Sequence, residues 1–208
     1  EAVGPEHSQV RGVLLEKGNF YFVMGRLEEA RTAHEEGLRI SRITYGDDSH
    51  EVALALHQLG NVLGDMGMLD EARANYEEAL RIHRRVHGER HPHVAGAFNN
   101  IALVLRKQGQ LDEALKMHSK ALKIRRRVLG EDHQDVARSL LIIGVLFRDQ
   151  GKHDEALVKF EEALAVYTRA LGIDNHGNAR VYYNMAIVKL GSGDVAGAAE
   201  SARERVRI

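Results

Sequence analysis

The 208-residue sequence has no cysteine and no tryptophan, and only two prolines. Without a thiol there is no disulfide framework, no thiolate nucleophile and no cysteine-ligated zinc, and the composition suits a reducing, cytoplasmic setting. No run of 18 apolar residues occurs, so no helical membrane span is predicted. The opening residues also lack the charged, apolar and small-residue series of a secretory leader. A dominant charge is missing as well: 29 Lys and Arg stand against 30 Asp and Glu, a formal net charge of −1. No global field draws the chain to nucleic acid or to an anionic membrane, and partners must be recognised by local patches. There is no glycine-rich phosphate loop, nucleophile elbow or paired-carboxylate motif, so neither enzymatic activity nor a cofactor is expected.

What the sequence does have is a repeat. Glycine recurs at Gly25, Gly67, Gly109, Gly151 and Gly193, and alanine at Ala30, Ala72, Ala114, Ala156 and Ala198, each in steps of 42. A second series, Gly4, Gly46, Gly88, Gly130 and Gly172, precedes polar stretches such as GERHP and GEDHQ that interrupt the helical pattern. The opening frame EAVGPEHSQV returns as ITYGDDSHEV, RVHGERHPHV and RVLGEDHQDV. That recurrence places residue 1 inside an array and predicts a further unit upstream. One unit reads as helix, tight turn, helix, looser turn. The units are 7–48, 49–90, 91–132, 133–174 and a truncated 175–208, in a single domain over 1–208.

Apolar spacing defines the helices. In the second unit Val52, Leu56, Leu59 and Leu63 fall on one face of the first helix, and Ala72, Tyr76, Ala79, Leu80 and His83 on one face of the second. The first glycine series sits where a helix C-terminus favours a left-handed residue, and the following LDEA or HDEA puts carboxylates in the next first turn, where the helix dipole favours them. Small residues at Gly60, Ala102, Gly144 and Ala186 are expected to let two helix backbones approach closely. A lone pair leaves its apolar stripe uncovered, so successive pairs must stack.

The pattern Leu56, Leu59, Gly60, Leu63, Ala72, Tyr76, Ala79 resembles the tetratricopeptide repeat signature, as does Phe98, Ile101, Ala102, Leu105, Ala114, His118, Ala121. Units of 42 residues are similar to the lengthened repeats of kinesin light chains. The resemblance implies an all-α fold, a right-handed α-solenoid of helix-turn-helix repeats with five stacked helical pairs. Departures are Lys17 at an apolar position and Lys189, Ala202 and Arg205 in the last unit.

The same resemblance implies a concave groove lined by four positions of each first helix. In this sequence those positions include Asn19, Phe22, His57, Asn61, Asn99, Leu103 and Arg106 in the first half. In the second half they include Arg138, Leu141, Val145, Arg148, Arg180, Tyr183 and Ile187. None of the twenty positions is acidic, although the overall acidic content predicts about three, and four are arginine. The amides of Asn61, Asn99, Asn100 and Asn184 can pair with an extended peptide backbone, arginine forks suit carboxylates, and Leu141, Val145, Tyr183 and Ile187 can hold an apolar side chain. The expectation is a protein-interaction scaffold that binds extended, acidic, partly hydrophobic peptides, as kinesin light chains bind cargo adaptors. The alternative is an assembly element packing through end or convex faces, with self-association through exposed end repeats.

Other signals point to structure. His87, His91 and His93 cluster around a turn, but no carboxylate or cysteine completes a recurring set, so turn capping or solvation is expected and no metal. His34 and His118 take the position of Tyr76 and Phe160 and are expected to be packing residues. Arg84 and Arg85, and Arg125 to Arg127, are expected to make ionic contacts with neighbouring units.

Overall fold

A computed structural model describes residues 5–207, in which ten α-helices and no strand are found among the described residues. They fall in two compact units that divide between Gln108 and Gly109. The first holds α1 (Pro5–Val23), α2 (Leu27–Tyr45), α3 (His50–Asp65), α4 (Leu69–His87) and α5 (Pro92–Lys107). The second holds α6 (Leu111–Leu129), α7 (Gln134–Asp149), α8 (His153–Leu171), α9 (His176–Gly191) and α10 (Val195–Arg207). From α2 to α9 the helices alternate between 19 and 16 residues. The all-α helix-turn-helix organisation expected from the repeat is therefore the one found.

The turns explain the regularity. Among the described residues positive φ occurs only at nine glycines, and these are the members of the two series from Gly25 to Gly193; Gly4 lies outside the described residues. Gly67, with φ 80°, closes the turn within a pair, and Gly88, also at 80°, ends the longer helix, where its N–H bonds to the Arg84 carbonyl. A side chain at such a φ costs about 1 kcal/mol or more, which is why glycine recurs there. Each polar stretch after the second series supplies the next helix's N-cap: Ser49, His91, His133 and Asn175, again 42 apart, accept a backbone N–H in the first turn.

The stripes read from the second repeat are buried as a set, from Val52 to Leu63 on α3 and from Ala72 to His83 on α4. In the second unit Leu140, Ile143, Phe160, Val166, Tyr167, Val181 and Val188 form the core. The small residue on the shorter helix serves a different purpose from the one expected. A Cβ on Gly60 would come within 2.7 Å of the Tyr76 ring, and one on Gly144 within 2.5 Å of the Phe160 ring. The glycine admits the partner helix's ring, rather than simply letting backbones approach. Gly18 does the same for His34, which is buried as a packing residue, and His118 is fully buried too.

Neighbouring pairs are tied by polar contacts that recur along the chain. Arg42 bonds to Glu78 at 3.0 Å and, 84 residues on, Arg126 bonds to Glu162. Asp48 likewise pairs with Arg85, and Asp132 with Arg169. Gln108 and Gln150 each donate to an aspartate at the start of a longer helix, Asp70 and Asp112. Within the arginine runs, Arg85 and Arg126 thus make the expected ionic contacts with neighbouring repeats, while Arg84 pairs with Glu89 of its own repeat. Lys17, a departure from the signature, is exposed and lies 5.6 Å from the centre of the Tyr21 ring.

Candidate functional site

In the first unit the first helix of each pair, α1, α3 and α5, carries the positions assigned to the groove from the sequence, and side chains bridge from one to the next. Gln58 on α3 donates to Asn19 on α1 at 3.4 Å. Asn100 on α5 lies 2.9 Å from His57 Nε2 on α3, and Lys107 donates to the carbonyl of Gly64 at 2.8 Å. The Asn100 Nδ2 group can only donate, so His57 Nε2 accepts, and burial lowers the His57 pKa. Asn61 accepts from the Tyr76 hydroxyl at 2.7 Å. Asn61 and Asn100 are therefore packing amides in part, each with one polar group engaged within the fold. Asn19, Leu103 and Arg106 are exposed, and Phe22 and Asn99 half-buried.

In the second unit the row lies on α7 and α9. Arg148 Nη1 donates to Asn184 Oδ1 at 2.7 Å, linking the two helices, while its Nη2 meets Asp149 at 2.8 Å. Asn184 in turn donates to the Arg180 carbonyl. Arg138 pairs with Asp135 at 3.2 Å, and Val145 is half-buried. Leu141 corrects the sequence expectation: it is 1% exposed within the core and offers no side chain to a ligand. Tyr183 and Ile187 are 48% and 38% exposed, with exposed Arg180 one turn before Tyr183. Arg205 on α10 places its guanidinium 4.7 Å from the centre of the Tyr183 ring. Sequence reasoning noted Arg205 only as a departure from the core pattern. It stands at the small-residue signature position that Ala79, Ala121 and Ala163 fill in other units, and a charged side chain there was the available signal that this end of α10 faces outward.

The histidines also gather beyond what the sequence showed. His91 caps α5, as expected of a turn residue. Yet His87, His91 and His93 are joined by His50 at the start of α3 and His83 near the end of α4. Burial, then the neighbouring imidazoles, bring His83 down to a pKa of about 3 and lower His91 and His93 as well.

The tetratricopeptide repeat family matches the chain over residues 10–85, 51–97, 93–169 and 135–208. The chain belongs to that family, an α-solenoid class of helix-turn-helix repeats. Comparison with curated proteins finds no match. Among solved structures it is similar to BtubC (BKLC) from P. vanneervenii, at 23% identity and a TM-score of 0.81, covering 91% of this chain and 76% of that one. It is also similar to a Podosopora anserina chain of nearly identical TPR-like repeats described as a kinesin light chain, at 19% identity and a TM-score of 0.84, covering 98% and 96%. MamA is similar at 14% identity and a TM-score of 0.64, covering 96% and 92%. At these identities the likeness establishes the fold. No helix among the described residues is long and apolar enough to cross a membrane.

Proposed function

We propose that the chain is a non-enzymatic, cytoplasmic protein-interaction scaffold whose shorter-helix rows bind extended, acidic and partly hydrophobic peptide segments. The observation that carries this reading is the α9 strip. There Tyr183 and Ile187 stand exposed, with exposed Arg180 one turn before Tyr183 and the Arg205 guanidinium 4.7 Å from the centre of its ring. An apolar side chain of a ligand would cover Tyr183 and Ile187, and a flanking carboxylate would find a guanidinium fork on either side. The fold likeness to BtubC and to the Podosopora chain is consistent with kinesin-light-chain-like recognition of adaptor segments.

The test is fluorescence polarisation of acidic peptides carrying one large apolar residue, selected on an array against the 208-residue chain. Arg180→Glu combined with Tyr183→Ala is expected to weaken binding at least about tenfold with sedimentation unchanged. Equal affinity of the parent and double variant for every selected peptide would end the proposal. Arg148 is left intact because its reversal would also break the α7–α9 link. A second reading, assembly through an exposed face, is favoured by α1, where Val13, Phe20 and Met24 are each more than half exposed.

A further inference from the structure

The histidines of the first unit form a constellation that the repeat does not require. His87 Nε2 and His50 Nδ1 are 3.1 Å apart, near the separation of about 3.3 Å that two nitrogens adopt on one tetrahedral zinc with bonds of about 2.05 Å. Ligand nitrogens of His50, His83 and His87 all lie within 4.8 Å of one another, and so do those of His87, His91 and His93. His87 belongs to both triads. His83 is 3% exposed and its Nδ1 is buried without a hydrogen-bond partner, an unfavourable arrangement for a polar nitrogen that a ligated cation would relieve.

Equivalent positions elsewhere show that the fold does not dictate imidazole. Steps of 42 place Ser41, Arg125 and Tyr167 where His83 stands, and Glu51, Asp135 and Gly177 where His93 stands. In the second unit the same slot is filled by unlike chemistry. Half-buried Arg125 donates to Ser139 with Asp135 nearby, and the Tyr167 ring sits against Gly177. Between α4 and α5 alone among these slots, both positions are histidine, their rings stacked at 4.9 Å.

We propose that His50, His83, His87, His91 and His93 form a binding site for one late first-row divalent cation of the zinc class, with His87 as the ligand common to both triads. An all-imidazole donor set selects zinc, copper, nickel or cobalt over magnesium and calcium, which demand oxygen ligands. The surrounding carboxylates do not compete for the ion: Asp48 is engaged by Arg81 and Arg85, and Glu89 by Arg84. Exposed His93 opens the cluster to solvent, and a cavity of about 70 Å³ bordered by His83, His93 and Asn100 has room for a coordinated water. The reading departs from the sequence expectation of no metal, because His50 and His83 enter from separate helices.

The experiment uses zinc chloride alone with the 208-residue chain, by isothermal titration and by elemental analysis after dialysis at pH 7.5. One zinc per chain is expected, with His87→Gln weakening binding at least about tenfold, while His176→Gln, an exposed histidine of the second unit, leaves it unchanged. Cobalt is expected to give the intense visible bands of tetrahedral coordination, lost in His87→Gln and untouched by excess magnesium. Circular dichroism of His87→Gln separates a lost ligand from a lost fold, and a His91→Gln, His93→Gln double variant gives a second loss of affinity outside the buried core. Absence of saturable binding below about 100 μM zinc, or equal affinity in His87→Gln and His176→Gln, overturns the proposal. Peptide binding at α9 uses none of these residues, so either idea can fail without the other.

Discussion

Gly144 lies under the fully buried ring of Phe160, where an added methyl would come within 2.5 Å of the ring. Overpacking of that kind costs about 1–3 kcal/mol, against a helix-propensity gain near 1 kcal/mol for replacing a mid-helix glycine. Gly144→Ala is accordingly expected to destabilise the fold by a net of up to about 2 kcal/mol, read as a fall in the urea midpoint, whereas Gly144→Ala with Phe160→Leu recovers part of the loss. His83 governs acid sensitivity in the same direct way. Its folded-state pKa is depressed to about 3 while the unfolded chain titrates near 6.5, so the native state resists a proton that the unfolded state accepts. Its effect on stability is absent above about pH 6.5 and grows as pH falls from there toward 3. The expected loss is about 1.4 kcal/mol per pH unit for one such group. Buried His34 and half-buried His57, whose pKa values are also lowered, add in the same direction. Denaturation measured with a chelator present between pH 7 and 5 checks this, and His83→Gln is expected to flatten the slope. A slope that does not change in the variant refutes the assignment.

Helix α9 shows how an element start is fixed by side chains. Asn175 accepts the Asn178 N–H at 2.9 Å, and the buried Asn178 amide donates to Thr168 Oγ1 at 3.1 Å and to the Ile173 carbonyl at 2.8 Å. Asn178→Ala strips these bonds from the turn between α8 and α9 and is expected to cost about 1–3 kcal/mol, read as a fall in the thermal midpoint. Helix existence and spacing were legible in the sequence because the apolar period and the two glycine series agree. The caps were less so: histidine is not a favoured N-cap, and only its place in a 42-step series with Ser49 and Asn175 gives His91 and His133 that role. Leu141 was misplaced for a geometric reason. Groove position follows from how each helix is rolled about its axis, and a one-position offset on an α-helix, about 100°, carries a side chain from the outer row into the core.

At the scale of the whole chain, charge nearly cancels, so specificity rests on local strips. The histidine cluster was invisible in sequence beyond its HGERHPH portion, since its other members arrive from α3 and α4. Val13 and Phe20 on α1 and Met24 just past its end fall at positions i, i+7 and i+11 as exposed apolar side chains, with Glu16 and Lys17 between the first two. Concentration-dependent self-association is expected in sedimentation velocity and is expected to vanish in a Val13→Glu, Phe20→Glu variant; a parent chain monomeric at all concentrations argues against assembly through α1. The nine left-handed glycines have a last consequence. Each turn holds three or four residues and no slack, so losing a single residue there would twist everything downstream by about 100° and swing charged flanks into apolar seams. Such a repeat tolerates growth or shortening in whole 42-residue modules, and resists being trimmed by ones and twos.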